Sequence, residues 1–438
     1  MSLFNTLHDF CLEQGFDQTY WVAYSGGLDS HVLLHLLVNL RSLYPVKLRA
    51  VHINHSLSPN AENWSTHCAA VCRELQVDYE QQTIDAIASL GESPEAVARQ
   101  RRYAVFSELL LPKDLLLTAH HQDDQAETVL LQLLRGAGPK GLAAMPRIKP
   151  FGHGLQARPL LDFMRVDLKT YAVENQLSWI EDESNDNTDF SRNFIRHQVL
   201  PILKERWPSV ATTLARVSNN CAEAQQLIDE VSMQDLVITS GSVVGTLSVS
   251  RLLKLNPMRQ RQVLRLWLKR LGFPVPGMIK IQQVQRDILQ ARPDKVPHIA
   301  WKGVELRRYR DDVYAMPSLH GHNAEQVVSW DLQRPLDLPG VGVLCAVPEM
   351  GKGLCADLKE ITVRFRRGGE VCRLPGRDCS HSLKKLFQEW HIPPWKRDRV
   401  PLIYVGDRLA AVAGVFIGND FMAREGQEGY LLLLDETK

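Results

Sequence analysis

Between Val22 and about Ile180, short apolar runs alternate with stretches whose apolar residues recur three or four positions apart. That pattern predicts strands alternating with helices, hence a parallel sheet covered on both faces. Thr19-Tyr20-Trp21-Val22-Ala23 has strand character, and Val32, Leu33, Leu36, Leu37 and Leu40 fall on one helical face directly after it. Lys47 to His55 is an extended run, and Trp64, Cys68, Val71 and Leu75 form a helical stripe. Ser93-Pro94 supplies a polar N-cap and a proline at a first helical position. Leu115-Leu116-Leu117-Thr118-Ala119 predicts a buried strand, and Val129 to Arg135 a helix closed by Gly136. After Pro208 the texture changes to helices without intervening strands. Near the end Leu383, Leu386, Phe387 and Trp390 share a helix face, Pro393-Pro394 stops it, and Val400–Val405 and Arg408–Ala413 flank Gly406-Asp407 as a hairpin. The expected domains are residues 1–208 (α/β), 209–325 (helical and basic) and 326–438 (small α+β).

The first strand and helix are joined by Ser25-Gly26-Gly27-Leu28-Asp29-Ser30. Glycines remove the Cβ atoms that hold an oxyanion off the backbone, and a helix N-terminus offers free N–H groups and a positive dipole end. The turn is therefore built for phosphate. It has neither the lysine of G-x-x-x-x-G-K-[ST] nor the spacing of G-x-G-x-x-G. An acid, Asp29, stands inside it instead, which asks for a divalent cation between carboxylate and phosphate.

Composition narrows the class. The chain has 438 residues, 45% hydrophobic and 23% charged, as in a globular protein of two or three domains. No apolar run reaches the roughly 18 residues of a membrane span, and no signal peptide is evident, so the cytoplasm is the expected location. The eight cysteines include no C-x-x-C and read as reduced, packed thiols. His67, Cys68 and Cys72 allow a metal reading, but the helical stripe favours burial. Net charge is +1, yet Arg251 to Arg310 carries fifteen Lys/Arg against three Asp/Glu, and Glu181 to Asp189 carries five acids and no base. A chain holding a polyanion in one place and a metal–nucleotide in another has this distribution.

The candidate chemistry gathers at strand ends. His52 and His55 would stand near a nucleotide bound beyond the carboxyl edge of the sheet, with a zinc pair as the rival reading. His120-His121-Gln122-Asp123-Asp124-Gln125-Ala126-Glu127-Thr128 follows the Leu115 strand. A first-turn acid is favoured by the helix dipole alone, but so many ionisable groups beside a loop containing Asp29 suggest shared magnesium ligation. Arg99 and Arg102, with Tyr103 adjacent, share a helix face that is either solvated or an RNA or triphosphate contact, and Arg192 and Arg196, four apart after the acidic stretch, belong either to a surface loop with local salt bridges or to a flap over the site. Arg261 and Arg265 in the basic segment are candidate RNA contacts, and Arg373, Arg377, Lys384, Lys385 and Arg397 are among the cations that surround the last helix and hairpin.

Ser25–Ser30 resembles the pyrophosphate (PP) loop of enzymes that cleave ATP between its α and β phosphates. Together with Val51-His52-Ile53-Asn54-His55, Glu95-Ala96, Ala98-Arg99, Arg102-Tyr103, His120–Thr128, Gly136-Ala137-Gly138, Gly141-Leu142, Ser191-Arg192-Asn193 and Ile195-Arg196, it resembles the bacterial tRNA(Ile)-lysidine synthetase family, long form. The resemblance implies an α/β PP-loop domain with a parallel sheet, then a helical domain and a small α+β domain that binds tRNA. It implies that ATP adenylates the C2 oxygen of the wobble cytidine in tRNA(Ile) with anticodon CAU, and that the ε-amine of free lysine then displaces AMP. On this reading Ser25, Gly26, Gly27, Leu28, Asp29, Ser30 and His52 bind ATP, Asp29 and Asp124 hold Mg²⁺, and Arg192 joins them as catalytic. Glu127 would take the lysine ammonium, and Arg99, Arg102, Arg196, Arg261, Arg265, Lys384, Lys385 and Arg397 the tRNA. A homodimer is left open. Rival readings are a tRNA thiolase of the same superfamily, a small-molecule amidating relative, and an RNA-binding protein with a decayed loop.

Overall fold

The computed structural model describes residues 2–54, 60–85, 94–292, 295–319, 321–372 and 380–436. His55, Ser93, Arg373 and Arg377 lie outside the described residues. The chain divides into two compact units, Met1–Ile228 and Asp229–Lys438. Among the described residues no helix is long and apolar enough to cross a membrane.

The first unit is built on a six-stranded sheet. Its elements are α1 (Leu3–Gln14), β1 (Thr19–Ala23), α2 (Leu28–Arg41), β2 (Lys47–Asn54), α3 (Ala61–Glu74), β3 (Asp78–Thr83), α4 (Pro94–Leu109), β4 (Leu115–Leu117), α5 (Gln122–Leu134), α6 (Pro139–Leu142), β5 (Ile148–Phe151), β6 (Gly154–Ala157) and α7 (Arg165–Glu174). The strand order is β3-β2-β1-β4-β6-β5, parallel except for β5. The period-two alternation of β1 sends Tyr20 and Val22 to one face and Trp21 to the other. On the first face they join Leu7, Phe10, Leu33, Leu36, Leu37 and Leu40, none with any exposed surface. Each such side chain contributes about 1.5–3 kcal/mol of burial, which is why α2 lies flat on the sheet. Trp21 packs with Val51, Ile53, Phe106, Leu110 and Leu116 on the opposite face, the α4 side. Trp21 also donates its indole N–H to Asp114 (3.1 Å), so that buried acid is structural. Helices α8 (Ser191–Phe194), α9 (Leu200–Arg206) and α10 (Val210–Ile238) follow.

The middle region is helical, with α11 (Val249–Leu252), α12 (Pro257–Arg270) and α13 (Met278–Val284), but it also contains strands that the apolar pattern does not reveal. A short β7 (Leu247–Ser248) pairs with β10 (Asp312–Pro317), which pairs with β9 (Val304–Tyr309), and β9 with β8 (His298–Trp301). Burial explains the miss: Val304, Glu305, Leu306 and Arg308 are all buried, so β9 shows no clean alternation. The last region is α+β, with antiparallel sheets of five, four and two strands. Its hairpin falls where the sequence put it, Leu402–Val405 against Arg408–Val412, with Gly406 at φ +57° in the turn.

Candidate active site

The loops after β1, β4 and β6 lie side by side along the carboxyl edge of the sheet, because those strands are neighbours and parallel. After β1 the chain turns through Gly26 at φ +79°. A Cβ there would lie 2.8 Å from Cys68 Sγ and 3.0 Å from Ile180 Cδ1, so glycine is required for space as well as for dihedral. Gly27 caps α2 with no side chain of its own, which leaves the positive end of the helix dipole facing the turn. Ser30 Oγ accepts from the Ser25 N–H (3.2 Å) and donates to the Gly27 carbonyl (3.0 Å), and the two serine hydroxyls lie 3.0 Å apart. His52, buried under the loop, lies with Nδ1 3.0 Å from the Tyr24 carbonyl, and burial lowers its pKa. Its place is behind the loop, bracing it.

After β4, His121 is the N-cap of α5. Its backbone N–H donates to Asp124 Oδ2 (3.0 Å), and the Asp124 N–H donates back to His121 Nδ1 (3.4 Å). The other ring nitrogen, Nε2, faces Asp124 Oδ2 at 3.4 Å and Asp29 Oδ2 at 3.7 Å. One buried imidazole thus stands between the two acids expected to share a metal. Burial opposes a charge on His121, but Asp124, Asp29 and Asp123 outweigh it and raise its pKa. Burial alone would raise Asp124; His121 and Arg192, then His120 and Arg196, overcome it and hold the carboxyl well below its usual range. Asp29 Oδ1 is buried and accepts no hydrogen bond. Arg165 Nε stands 3.9 Å from that oxygen, and a carboxylate oxygen beside the phosphate loop that is ion-paired but accepts no hydrogen bond suits a divalent cation.

Behind Asp124 lies a tetrad. Arg192 donates Nε–H to Glu127 Oε2 (2.7 Å) and Nη2–H to Asp124 Oδ1 (2.8 Å). Arg196 donates Nε–H to Glu127 Oε1 (2.6 Å) and Nη2–H to Asp124 Oδ1 (3.1 Å). Glu127 is only 1% exposed, with both oxygens engaged. A lysine ammonium at Glu127 therefore competes with two guanidiniums, and Arg196 points inward onto the same acid.

At the far end, beyond β6, Arg158 is 3% exposed and donates to the Pro146 carbonyl (2.7 Å) and Gln156 Oε1 (3.0 Å). Arg99 lies 5.0 Å and Arg102 5.7 Å from the centre of the Tyr103 ring, with Lys149 at 6.0 Å. His120, within electrostatic reach of Asp124, Arg158, Arg192 and Arg99, is pushed down to about 3, chiefly by burial. Sequence reasoning missed Arg158, and also Arg165, whose backbone N–H donates to Asp123 Oδ2 (2.9 Å). It missed Ile180 as well, whose N–H donates to the Gly26 carbonyl (3.0 Å). None sits in a motif; only proximity in the fold marks them.

In the second unit Arg261 and Arg265 are half-buried on α12, and Lys384 and Lys385 are exposed on the helix Leu383–Glu389. Arg397 turns inward, donating to the Ile392 carbonyl (2.8 Å) and to the Tyr309 hydroxyl (3.1 Å).

Three family descriptions match in chain order: a PP-loop domain over residues 5–203, a TilS substrate binding domain over 247–314 and a TilS substrate C-terminal domain over 361–434. A tRNA(Ile)-lysidine synthase of Coxiella burnetii is 46% identical over 94% of this chain and 92% of its own length. The chain belongs to the tRNA(Ile)-lysidine synthase family. Other synthases of that name, from Methylococcus capsulatus and Alkalilimnicola ehrlichii, are 44% and 41% identical over 90% and 95% of the chain, covering 91% and 93% of their own lengths. The synthase PP-loop match spans the whole carboxyl edge described above, from Gly26 to Arg196.

Proposed function

We propose that the chain joins free lysine to C2 of the wobble cytidine of tRNA(Ile) with anticodon CAU, consuming ATP and releasing pyrophosphate and AMP. Family membership supports the overall reaction. The observation that carries its assignment to residues is the shared edge, where Gly26-Gly27, the Asp29–His121–Asp124 group and the Arg192–Arg196 pair meet. ATP lies with its phosphates on Ser25, Gly26, Gly27 and Ser30, at the N-terminus of α2. Asp29 and Asp124 are the residues to hold Mg²⁺, which supplies charge neutralisation at the phosphates when bound. Arg192, aimed by Glu127 and Asp124, stabilises negative charge developing on the α-phosphoryl group. Adenylation turns a poor leaving oxygen into a good one, and the ε-amine then displaces AMP. Glu127 first orients both arginines, and the lysine ammonium approaches it by taking over one of those contacts. The cytidine must leave its stack to reach the edge, so an anticodon loop is a suitable substrate and a duplex is not.

Incorporation of labelled lysine into tRNA with purified protein, ATP and each amino acid in turn tests this reading. Lysine-specific, ATP-dependent labelling supports it; ATP turnover indifferent to tRNA overturns it.

A further inference from the structure

Arg165, at the start of α7, has no place in the reaction as assigned so far. Its backbone is held from several sides. The Arg165 N–H donates to Asp123 Oδ2 (2.9 Å), the Phe163 carbonyl accepts from the Gln122 N–H (2.7 Å), and the Met164 N–H donates to Asp167 Oδ2 (2.9 Å). Asp123 is itself held by the Lys204 ammonium (2.6 Å). The loop from β6 is thus tied to the first turn of α5, next to Asp124. The side chain is the opposite, 58% exposed against 22% for Arg192 and 28% for Arg196. Those two each donate at least two hydrogen bonds to carboxylates. Arg165 meets Asp29 at 3.9 Å, an ion pair too long for a hydrogen bond, and an exposed pair of that kind contributes little stability. The anchor is fixed and the guanidinium is loosely held.

Where that guanidinium stands decides what it can do. Asp29 is the second residue of α2, directly after the turn capped by Gly27, so Arg165 lies against the helix end whose free N–H groups face the phosphates. A loop of the G-x-x-x-x-G-K-[ST] kind carries a lysine that reaches the β- and γ-phosphates. Ser25–Ser30 contains no cation at all, and Arg192, already engaged by Asp124 and Glu127, is assigned to the α-phosphoryl group. The far end of the triphosphate is left without a side-chain partner. In the proposed function Asp29 turns to a divalent cation, which leaves Arg165 without its acid and beside the phosphates. A planar guanidinium matches two phosphate oxygens in parallel hydrogen bonds.

We propose that Arg165 supplies the cation this loop lacks, moving from Asp29 onto the β- and γ-phosphates of ATP and holding pyrophosphate as it leaves. This deepens, and rests on, the reading of the chain as a lysidine-forming ligase. In the step concerned, the cytidine O2 bonds to the α-phosphorus and the bond from that phosphorus to the oxygen bridging toward the β-phosphate breaks. Pyrophosphate departs with the electron pair, and the adenylated cytosine ring carries the positive charge. Arg165 keeps its proton throughout and pairs with the negative charge growing on the leaving group.

The test uses Arg165→Ala and Arg165→Lys in the full chain, with inorganic pyrophosphate, ATP and AMP titrated calorimetrically in magnesium buffer. The side chain is exposed, so neither change threatens the fold. Arg165→Ala should weaken pyrophosphate and ATP by about 10-fold, the low end for losing a hydrogen bond to a charged group, and leave AMP, which lacks the β- and γ-phosphates, unchanged. The rate of tRNA-dependent pyrophosphate release should fall by at least the same factor, with the KM for tRNA unmoved. Arg165→Lys, which keeps the charge and loses the fork, should recover part of both losses. Unchanged pyrophosphate affinity in Arg165→Ala, or equal losses for pyrophosphate and AMP, would overturn the assignment in favour of a surface ion pair that only shapes the loop. A raised KM for tRNA with nucleotide affinities intact would overturn it in favour of an RNA contact. Wild type that binds pyrophosphate but releases none from ATP in the presence of tRNA would instead overturn the proposed function, and this proposal with it.

Discussion

Arginines in the two units look alike in the sequence and do different work in the fold. At the carboxyl edge of the first sheet, Arg192 and Arg196 converge on two buried carboxylates, so four charges lock one another into a fixed geometry. In the second unit Arg308, buried where Arg192 and Arg196 are only half-buried, meets no acid at hydrogen-bond distance among the described residues. It donates instead to the carbonyls of Leu289 (3.1 Å), Ala291 (2.9 Å) and Arg310 (2.9 Å), closing a helix end against β9. Arg259 pairs with the buried Asp235, and Arg397 holds Tyr309. A local excess of basic residues thus overstates the surface free to meet RNA. Part of it is internal mortar, and we propose the exposed Lys384 and Lys385 as the better candidates for phosphate contact.

The sharpest break of this comparison lies at the edge. Asp29→Ala and Arg192→Ala should each reduce lysine incorporation by about 10²–10³ or more, the loss expected when a preorganised charge-stabilising group is removed. The circular dichroism spectrum should stay that of the wild type. Retained activity in both variants would sink the metal and phosphoryl assignments together.

Next comes the tetrad. Glu127→Ala leaves two guanidiniums without their main partner and should destabilise the first unit by about 3–5 kcal/mol, the range for breaking a buried pair. Glu127→Gln, which keeps a carbonyl acceptor, should recover part of that loss. Denaturant titration of both variants measures the difference; equal stability would mean that Asp124 alone holds the arginines.

For the second unit, Arg308→Ala should remove about 1–3 kcal/mol, the penalty for leaving buried carbonyls unpaired. The salt dependence of tRNA binding should not move. The double change Lys384→Ala with Lys385→Ala should do the reverse, leaving the melting temperature alone and flattening the slope of log K against log salt by about 2. If Arg308→Ala changed that slope, the division between internal and RNA-facing arginines would be wrong.

The smallest effect expected is in the phosphate loop itself. Gly26→Ala must adopt a positive φ, at about 1–2 kcal/mol, and must push Cys68 or Ile180 aside. Weaker ATP binding with intact tRNA binding should result, as read by nucleotide titration.

Local pattern carried much of this protein. Val32, Leu33, Leu36, Leu37 and Leu40 announce α2 because helical periodicity is written into consecutive residues, and Ser25–Ser30 announces a phosphate turn because dihedral and dipole requirements are local. The grouping of Asp29 with the 120–128 segment was legible too, since parallel neighbouring strands bring their carboxyl ends together. Strand β9 was not, because burial on both faces erased its alternation. Which acid each arginine meets, the imidazole of His121 between Asp29 and Asp124, and the buried Arg158 beyond β6 were decided by tertiary structure alone. Those contacts join residues far apart in the chain, among them Asp124 and Arg192, which are 68 positions apart, and hydrophobic packing chooses such neighbours with no trace in local sequence.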